Sequence, residues 1–562
     1  MPKLWKIIER DEEPAGRLAA ALGIPLSLAG VLAARGLTSP EQVLRFLNPR
    51  MEDLSDPSDL PDMSRAVDRI LKAVKGRERI VVFGDYDADG VTATALLTRF
   101  LRGLGAEVMP FLPLRLEEGY GLGTEALQRG LEAHHPGLVI TVDCGTCSGA
   151  AVREAAKAGV DVVVTDHHEP AGEVAPAAAV VNPRLGSREE TKILAGVGVA
   201  FKLAWALAVR AGTDLRHVFR CLDLVATGTV ADVVPLTGEN RILVRYGLER
   251  LNHDTPAGLR ALAEVGGVHG EIGEYHLGFV IGPRLNAAGR LGDAQAALEL
   301  LLSDDPEAVL PLAQQLDRGN RERQQIEADI LEQAIQEIDT LDLARHSGLV
   351  LARRGWHPGV IGIVASRLVG RYGRPVILVA PDENGSGRGS GRSVEGFNLV
   401  ENLAACREHL VRFGGHAMAA GLELEEKSLP AFREAFNRCV AGILTRDQLQ
   451  PVQKISAWIE LAEADERLYQ GLESLRPFGF GNPRPVWASS RVRVLGQPRI
   501  LKEKHLKMRV VSGSAQREAI GFGLAAQPLP DGPLDIAFTL DLNSWMGRET
   551  LQLNLQDFRA SP

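Results

Sequence analysis

Five cysteines spread over 562 residues are too few and too scattered for a disulfide framework. Cys144 and Cys147 form a C-x-x-C in DCGTCSG, but Cys221, Cys406 and Cys439 stand alone. No second pair completes a zinc site, and the thiols read as incidental. Long apolar runs are also missing, since none approaches the roughly 20 residues a membrane helix needs. The richest stretch, GVGVAFKLAWALAVRAG, is interrupted by Lys202. The start, MPKLWKIIERDEEPAG, carries acids early and has no apolar core, unlike a signal peptide. Repeats and low-complexity tracts are absent. An excess of positive charge is absent too: the formal charge of −9 excludes a protein coated in positive field. It leaves room for local basic patches that bind nucleic acid. These absences describe a cytoplasmic protein that does not meet the membrane.

Apolar content of 45% and charged content of 24% are those of an ordinary globular protein, and the length implies about three or four domains. Residues 1–50 read as a helical N-terminal segment. From 51 to 240 helices alternate with short β-branched runs, RIVVFGD, AEVMPFLP, GLVITVDCG and VDVVVTDHH. That alternation predicts an α/β domain with a doubly wound parallel sheet. Residues 241–345 form a helical connector. In it, Ile326, Ile330, Leu331, Ala334, Ile335 and Ile338 recur at helical spacing on one face of a long helix. A second α/β domain spans 346–445, and the short strands and Gly/Pro turns of 451–562 suggest a small antiparallel barrel.

The stretch VVFGDYDADGVTATALL crowds Asp85, Asp87 and Asp89 onto one turn after an apolar run. Like charges repel there, and each unpaired carboxylate is costly to desolvate; a divalent cation turns the repulsion into coordination. One D-x-D decides nothing. However, TVDCG and TDHHEP also end strands, and the crevice outside the carboxyl ends of a parallel sheet is where ligands bind. Asp85, Asp87, Asp143, Asp166, His167 and His168 therefore converge, and Asp232 in TGTVADVVPL is a further contributor. Carboxylate and imidazole without thiolate suit Mn²⁺ or Mg²⁺, and two such ions clamp a phosphoryl group.

GDYDADGVTAT, LRLEEGYGL, TVDCG, VVTDHH and TGTVADVVPL, in that order, resemble the motifs of the DHH phosphoesterase superfamily. The continuation GPRLNAAGRLGD, GWHPGVIGIVASRL, GSGRSVEGFNL and FGGHAMAAGL resembles the bacterial RecJ single-strand exonuclease family. The match runs from about residue 50 to the C-terminus. It implies a DHH domain, a DHHA1-like domain and an OB-fold barrel. It also implies two Mn²⁺ or Mg²⁺ ions held by Asp85, Asp87, Asp143, His167 and Asp232, with His168 catalytic beside the scissile phosphate and Asp166 orienting an imidazole. Where some superfamily members carry a further histidine upstream of the first aspartate, this chain has Val81, Val82 and Phe83. One ion is therefore expected to bind more weakly. The activity implied is 5′-to-3′ hydrolysis of single-stranded DNA to mononucleotides, in repair and recombination. The partner is a strand with a 5′ end; a single-strand-binding protein and a helicase are further implied partners, and the chain reads as a monomer. The rivals are a small-substrate phosphoesterase and a non-catalytic scaffold of the same fold.

Arg115, Arg284, Asn286 and Arg290 sit among glycines, which allow close approach of backbone to a ligand, and guanidinium binds phosphate oxygens in pairs. Ser390, Arg392, His357 and His416 occupy similar settings in the second α/β domain. The resemblance implies that this domain faces the metal site and that Ser390 and Arg392 hold a terminal 5′ phosphate. In the barrel, Arg491, Arg493, Arg499, Lys502, Lys504, Lys507 and Arg509 outnumber one acid, Glu503, as on a surface that tracks a single strand. Phe478, Phe480 and Trp487 in RPFGFGNPRPVW are either base-stacking or core residues.

Overall fold

The run IVVFG, strand β1 (Ile80–Gly84), is buried at every position because both faces of its sheet are covered. Ile80 and Val82 enter one core with Leu138 and Ile140; Val81 and Phe83 enter another with Val139 and Val162. The neighbouring strands are β2 (Val108–Phe111), β3 (Leu138–Val142), β4 (Asp161–Thr165) and β5 (Ala179–Val181). All pairings are parallel, in the order β2-β1-β3-β4-β5. This is the expected doubly wound sheet, with one more strand, the short AVV of β5, than the sequence pattern revealed. The order reverses between β1 and β3, the crevice where such sheets bind ligands.

The computed structural model describes residues 3–9, 12–114, 121–292, 294–545 and 548–562. They pack as two units: Asn48–Arg323 with Arg476–Pro483, and Met1–Leu47, Gln324–Leu475 and Arg484–Pro562. The first unit holds the parallel sheet and helices α1 (Ala88–Gly103), α2 (Gly196–Ala211), α3 (Leu222–Ala231) and α4 (Gly282–Leu291). GPRLNAAGR, despite its two glycines, is α4, entered through a π-helical turn at Leu277–Ile281. The 34-residue helix α5 (Pro306–Asp339) leads into the second unit, where Ile330, Ala334 and Ile338 form its buried stripe.

In that second unit, strands β6 (Leu349–Ala352), β7 (Val376–Pro381), β8 (Ser386–Arg392), β9 (Arg412–Gly415) and β10 (Ala419–Glu425) make a mixed sheet in the order β9-β10-β8-β7-β6. Helix α6 (Ile361–Tyr372) packs on β7 and β8. The barrel strands are β11 (Trp487–Leu501), β12 (His505–Ser512), β13 (Ala515–Gly521), β14 (Leu534–Trp545) and β15 (Arg548–Ala560). Their order is β11-β12-β13-β15-β14, closed by β14 pairing with β11. One pairing, β13 with β15, is parallel, so the barrel is not wholly antiparallel. The N-terminal segment contains a strand as well as helices: Leu4–Ile7 pairs parallel with Val452–Ile455. Cys406 and Cys439, solitary in sequence, bring their Sγ atoms to 3.8 Å as free thiols. Among the described residues, no helix is long and apolar enough to cross a membrane.

Lys202, which interrupts the longest apolar stretch, is fully buried in α2. Its ammonium sits 2.7 Å from the Glu239 carboxylate and donates to the Ser55 carbonyl at 2.7 Å. Glu239 in turn accepts from the Ser55 amide. The pair thus ties α2 to the segment that enters the domain. Removing one member of such a pair strands the other charge in the interior. Lys202→Ala is expected to cost about 3–5 kcal/mol in a denaturant titration, and Lys202→Met with Glu239→Leu much less. Equal losses in the two proteins would contradict the pairing.

Candidate metal centre

Each strand of the switch point delivers acid or imidazole at its carboxyl end. After β1, the Asp85 carboxylate accepts from the Tyr86 amide. Asp87 caps α1, accepting from the amides of Asp89 and Gly90 at 3.0 and 3.1 Å. After β3, Asp143 is 2% exposed and left-handed, with φ 62°, a conformation that aspartate tolerates better than most residues. After β4 come Asp166, His167 and His168. Asp232 caps the end of α3, and Val233 behind it has φ 61°. That is a strained backbone for a β-branched residue, of the kind that clusters at functional sites.

These side chains meet. His167 Nε2 lies 3.1 Å from Asp143 Oδ1, 3.6 Å from Asp232 Oδ2 and 3.8 Å from Asp89 Oδ2. Three overlapping groups have ligand atoms within 4.8 Å of one another: Asp85, Asp87 and Asp143; Asp143, His167 and His168; and Asp89, His167 and Asp232. Gly196 makes room, since a Cβ there would stand 2.5 Å from Asp143 Oδ1.

Asp89 belongs to this cluster although the sequence reading assigned it no role. Its oxygens accept from the amides of Gly196 and Val197 at 2.6 and 2.9 Å, so it also anchors the N-terminus of α2. Burial, then the Asp87 charge, push its carboxyl up to about 7 against those two amides. The sequence signal was the third aspartate of DYDADG; its partners lie 107 and 108 residues away, beyond any local pattern.

Burial and the surrounding aspartates raise Asp143 and Asp232 well above the carboxylate range. Burial, then the charge of His168, lower His167 to about 3, so its ring is neutral. The Leu194 backbone takes a hydrogen bond from that ring. Nε2 has no hydrogen-bond partner, so the bond falls to Nδ1, and a lone pair on Nε2 faces the acids. Asp143 Oδ1 likewise has no hydrogen-bond partner. Two buried acceptor atoms 3.1 Å apart, neither with a hydrogen-bond partner, are what a cation satisfies, and the donor set suits a hard divalent ion.

His168 is held differently. Its Nδ1 pairs with Asp166 Oδ1 at 2.8 Å, and Asp166 also accepts from the amides of Thr146, His167 and His168. Burial opposes ionisation of Asp166, but the His168 hydrogen bond and these amides overrule it and hold the carboxyl at about 2. The burial penalty on His168 is in turn outweighed by Asp166, Asp85 and Asp87, which raise its basicity.

The other sequence-derived residues fall in two places. Asn286 Oδ1 accepts from the Ala88 amide at 2.8 Å, and a Cβ on Gly289 would stand 2.6 Å from the Tyr86 carbonyl. The glycines of α4 therefore admit the DYDAD turn. Arg284 is engaged by Asp317 at 2.8 Å and the Val280 carbonyl; Arg290 lies half-buried on α4. Arg115 lies outside the described residues. In the second unit, Arg392 Nη1 donates to Ser390 Oγ at 3.0 Å. A Cβ on Gly362, in the first turn of α6, would meet both side chains. His357 precedes that turn, its carbonyl accepting from Val360 and Ile361. A guanidinium and a hydroxyl thus lie against the first turn of α6, an arrangement with the chemistry to take an anion. His416 is exposed in the β9–β10 turn. Phe478 and Trp487 are buried, whereas Phe480 is 61% exposed.

Mn²⁺ at 100 times its dissociation constant is expected to stabilise the chain by about 2.7 kcal/mol, read as a rise in melting temperature over chelator-treated protein. Asp143→Asn should abolish that rise and, by removing a buried like charge, raise the melting point of the chelated form. Calorimetric titration should show a tight and a weak phase, because buried Val81, Val82 and Phe83 offer no donor. One phase, or an unaltered response in Asp143→Asn, would contradict the assignment.

Three family models match the chain: DHH family, N-terminal domain, over residues 79–229; DHHA1 domain, over 346–442; and RecJ OB domain, over 455–557. The Bacillus subtilis single-stranded-DNA-specific exonuclease RecJ is 37% identical over 564 residues, covering 99% of this chain and 71% of that one. Among solved structures, RecJ in complex with Mn²⁺ from Thermus thermophilus superimposes with a TM-score of 0.85 at 34% identity, over 100% of this chain and 80% of that one. The Mg²⁺ complex of RecJ from the same organism gives 0.79 at 32% identity, over 100% and 79%. A parallel sheet whose strand ends gather aspartates and histidines, followed by the two further domains of these relatives, places the chain in the RecJ exonuclease family.

Proposed function

We propose that this chain is a divalent-metal-dependent exonuclease that removes mononucleotides from the 5′ end of single-stranded DNA during repair and recombination. The observation that carries the reading is the meeting of Asp143 Oδ1 and His167 Nε2, two buried acceptors without partners, among acids from three strand ends. Asp85, Asp87, Asp143, His167 and Asp232 would hold two Mn²⁺ or Mg²⁺ ions, with Asp89 bracing the last of these groups. Such ions supply Lewis acidity to a phosphoryl group and lower the pKa of water. His168, fixed by Asp166 and made more basic by it, would stand by the scissile phosphate as acid or electrostatic partner. Ser390 and Arg392 over the α6 N-terminus suit a terminal phosphate, with His357 beside them. The relatives' name, single-stranded-DNA-specific exonuclease, supports the substrate; the 5′ polarity follows from the family resemblance. A monomer in the cytoplasm, working with a single-strand-binding protein and a helicase, completes the reading.

The barrel hairpin supports strand binding. Arg499, Lys502 and Lys504 are exposed around its tip and Arg493 at its far end; at the tip Lys502 and Glu503 take positive φ. Lys507 and Arg509 are instead partly neutralised by Glu518. Exposed Phe522 packs edge-on with His505, next to this charge.

Digesting a long 5′-labelled single strand should release labelled mononucleotide first, and Asp143→Ala should lose at least about a thousandfold in rate, as expected when a central electrostatic element is removed. Attack from the 3′ end, equal digestion of duplex or short oligonucleotides only, or an active Asp143→Ala would overturn the reading. Lys502→Ala with Lys504→Ala should lower the slope of log affinity against log salt by about one per lost phosphate contact. An unchanged slope would remove the hairpin from the binding surface.

A further inference from the structure

Beside Asp232 the first unit carries apolar side chains that face solvent. Tyr275 is 62% exposed, Phe279 70%, Val233 65% and Phe480 61%. They come from three segments bound to one another. The π-helical turn Leu277–Ile281 buries Leu277 and Ile281 and turns Phe279 outward. It lies directly on the end of α3: a Cβ on Gly278 would be 3.4 Å from Val230 Cγ1, and one on Gly282 would be 3.0 Å from Ala231 Cβ. Asp232 and Val233 are the next residues of the chain. The loop bearing Phe480 is fastened twice. Its carbonyl accepts from the Leu236 amide at 2.7 Å. Arg476 donates to the buried Glu274, next to Tyr275, at 2.8 and 3.1 Å, and Glu274 also accepts from the Phe478 amide.

The Tyr275 and Phe279 rings stack on each other, centroids 5.0 Å apart and planes inclined by 26°. A pair of aromatic side chains is normally placed to fill a core; here both stand in water while an ion pair to the buried Glu274 holds their support. π-helical turns of this kind concentrate at functional sites.

Resting on the single-strand reading above, we infer that Tyr275 and Phe279 are a base-stacking platform for nucleotides next to the scissile phosphate, with Val233 and Phe480 as its apolar rim. The occupant is an unpaired nucleobase. The patch is continuous with the Asp232 ligand through Val233 and the end of α3, so the bases flanking a phosphodiester held there are the occupant it suits. Stacking on a flat ring tolerates any base sequence but requires a free base face. The platform therefore contributes to selection of single strands over duplex.

The test compares wild type, Tyr275→Ala/Phe279→Ala, and the conservative Tyr275→Phe and Phe279→Tyr, all loaded with Mn²⁺. The inference predicts that KM for a single strand rises about tenfold or more in the double alanine variant. kcat stays within about threefold, and the conservative variants remain near wild type. Strands with abasic residues at the two 5′-terminal positions should erase the difference between wild type and variant. 2-Aminopurine at those positions, bound in Ca²⁺ to withhold hydrolysis, should be quenched by wild type and not by the variant. An unchanged Mn²⁺ thermal shift certifies the fold; if the double variant loses it, Phe279→Leu, which keeps apolar volume without a π face, carries the comparison. A KM within twofold of wild type, or an equal penalty on abasic strands, would overturn the inference and turn the patch toward a protein partner. A wild type that does not cut single strands would fail the function reading instead.

Discussion

Mutual repulsion among buried carboxylates governs this molecule. Asp143, Asp89 and Asp85 are almost wholly withdrawn from water, and Asp87 and Asp232 stand beside them. Each raises the cost of ionising its neighbours. No folded chain gathers such groups without something that offsets the penalty. Partial relief comes from peptide dipoles: the first turn of α1 on Asp87, and that of α2 on Asp89. The rest falls to a cation, and the orphaned atoms of Asp143 and His167 mark where it would sit.

The surrounding fold reads as support for that gathering. Strands apolar on both faces end together at the switch point, so their following residues are thrown into one crevice. Gly196 and Gly289 remove the Cβ atoms that would hold α2 and α4 away from it. Left-handed Asp143 and Val233 show the backbone held in costly conformations on two sides of the same centre. Asp166 shows the opposite economy: surrounded by donors, it stays ionised and raises the basicity of His168. Two histidines adjacent in sequence thereby acquire different basicity, one ring lowered and facing acids, the other raised and partly open to solvent.

Much of this was legible in the chain. β1, β3 and β4 announce themselves because burial on both faces forbids polar residues until the strand ends, so acids and histidines stand out against valine. Other features depend on partners far along the chain. β5 is only AVV, too short to show a period. GPRLNAAGR carries two glycines that suggest a loop, yet they serve helix packing against Tyr86 and Ala231. The strand Leu4–Ile7 exists only because Val452–Ile455 pairs with it. RPFGFGNP reads as part of the barrel but packs in the unit of the parallel sheet, held by Glu274. Lys202 looks like an interruption of an apolar helix until Glu239 is placed opposite it.

The central claim is that the acids tolerate one another because they enclose divalent ions. Anomalous diffraction from crystals soaked in Mn²⁺ tests it most directly. The account predicts two peaks within the cage, one between Asp143 and His167 and the other bounded by Asp85, Asp87 and Asp143. Peaks confined to surface carboxylates at saturating Mn²⁺ would contradict it.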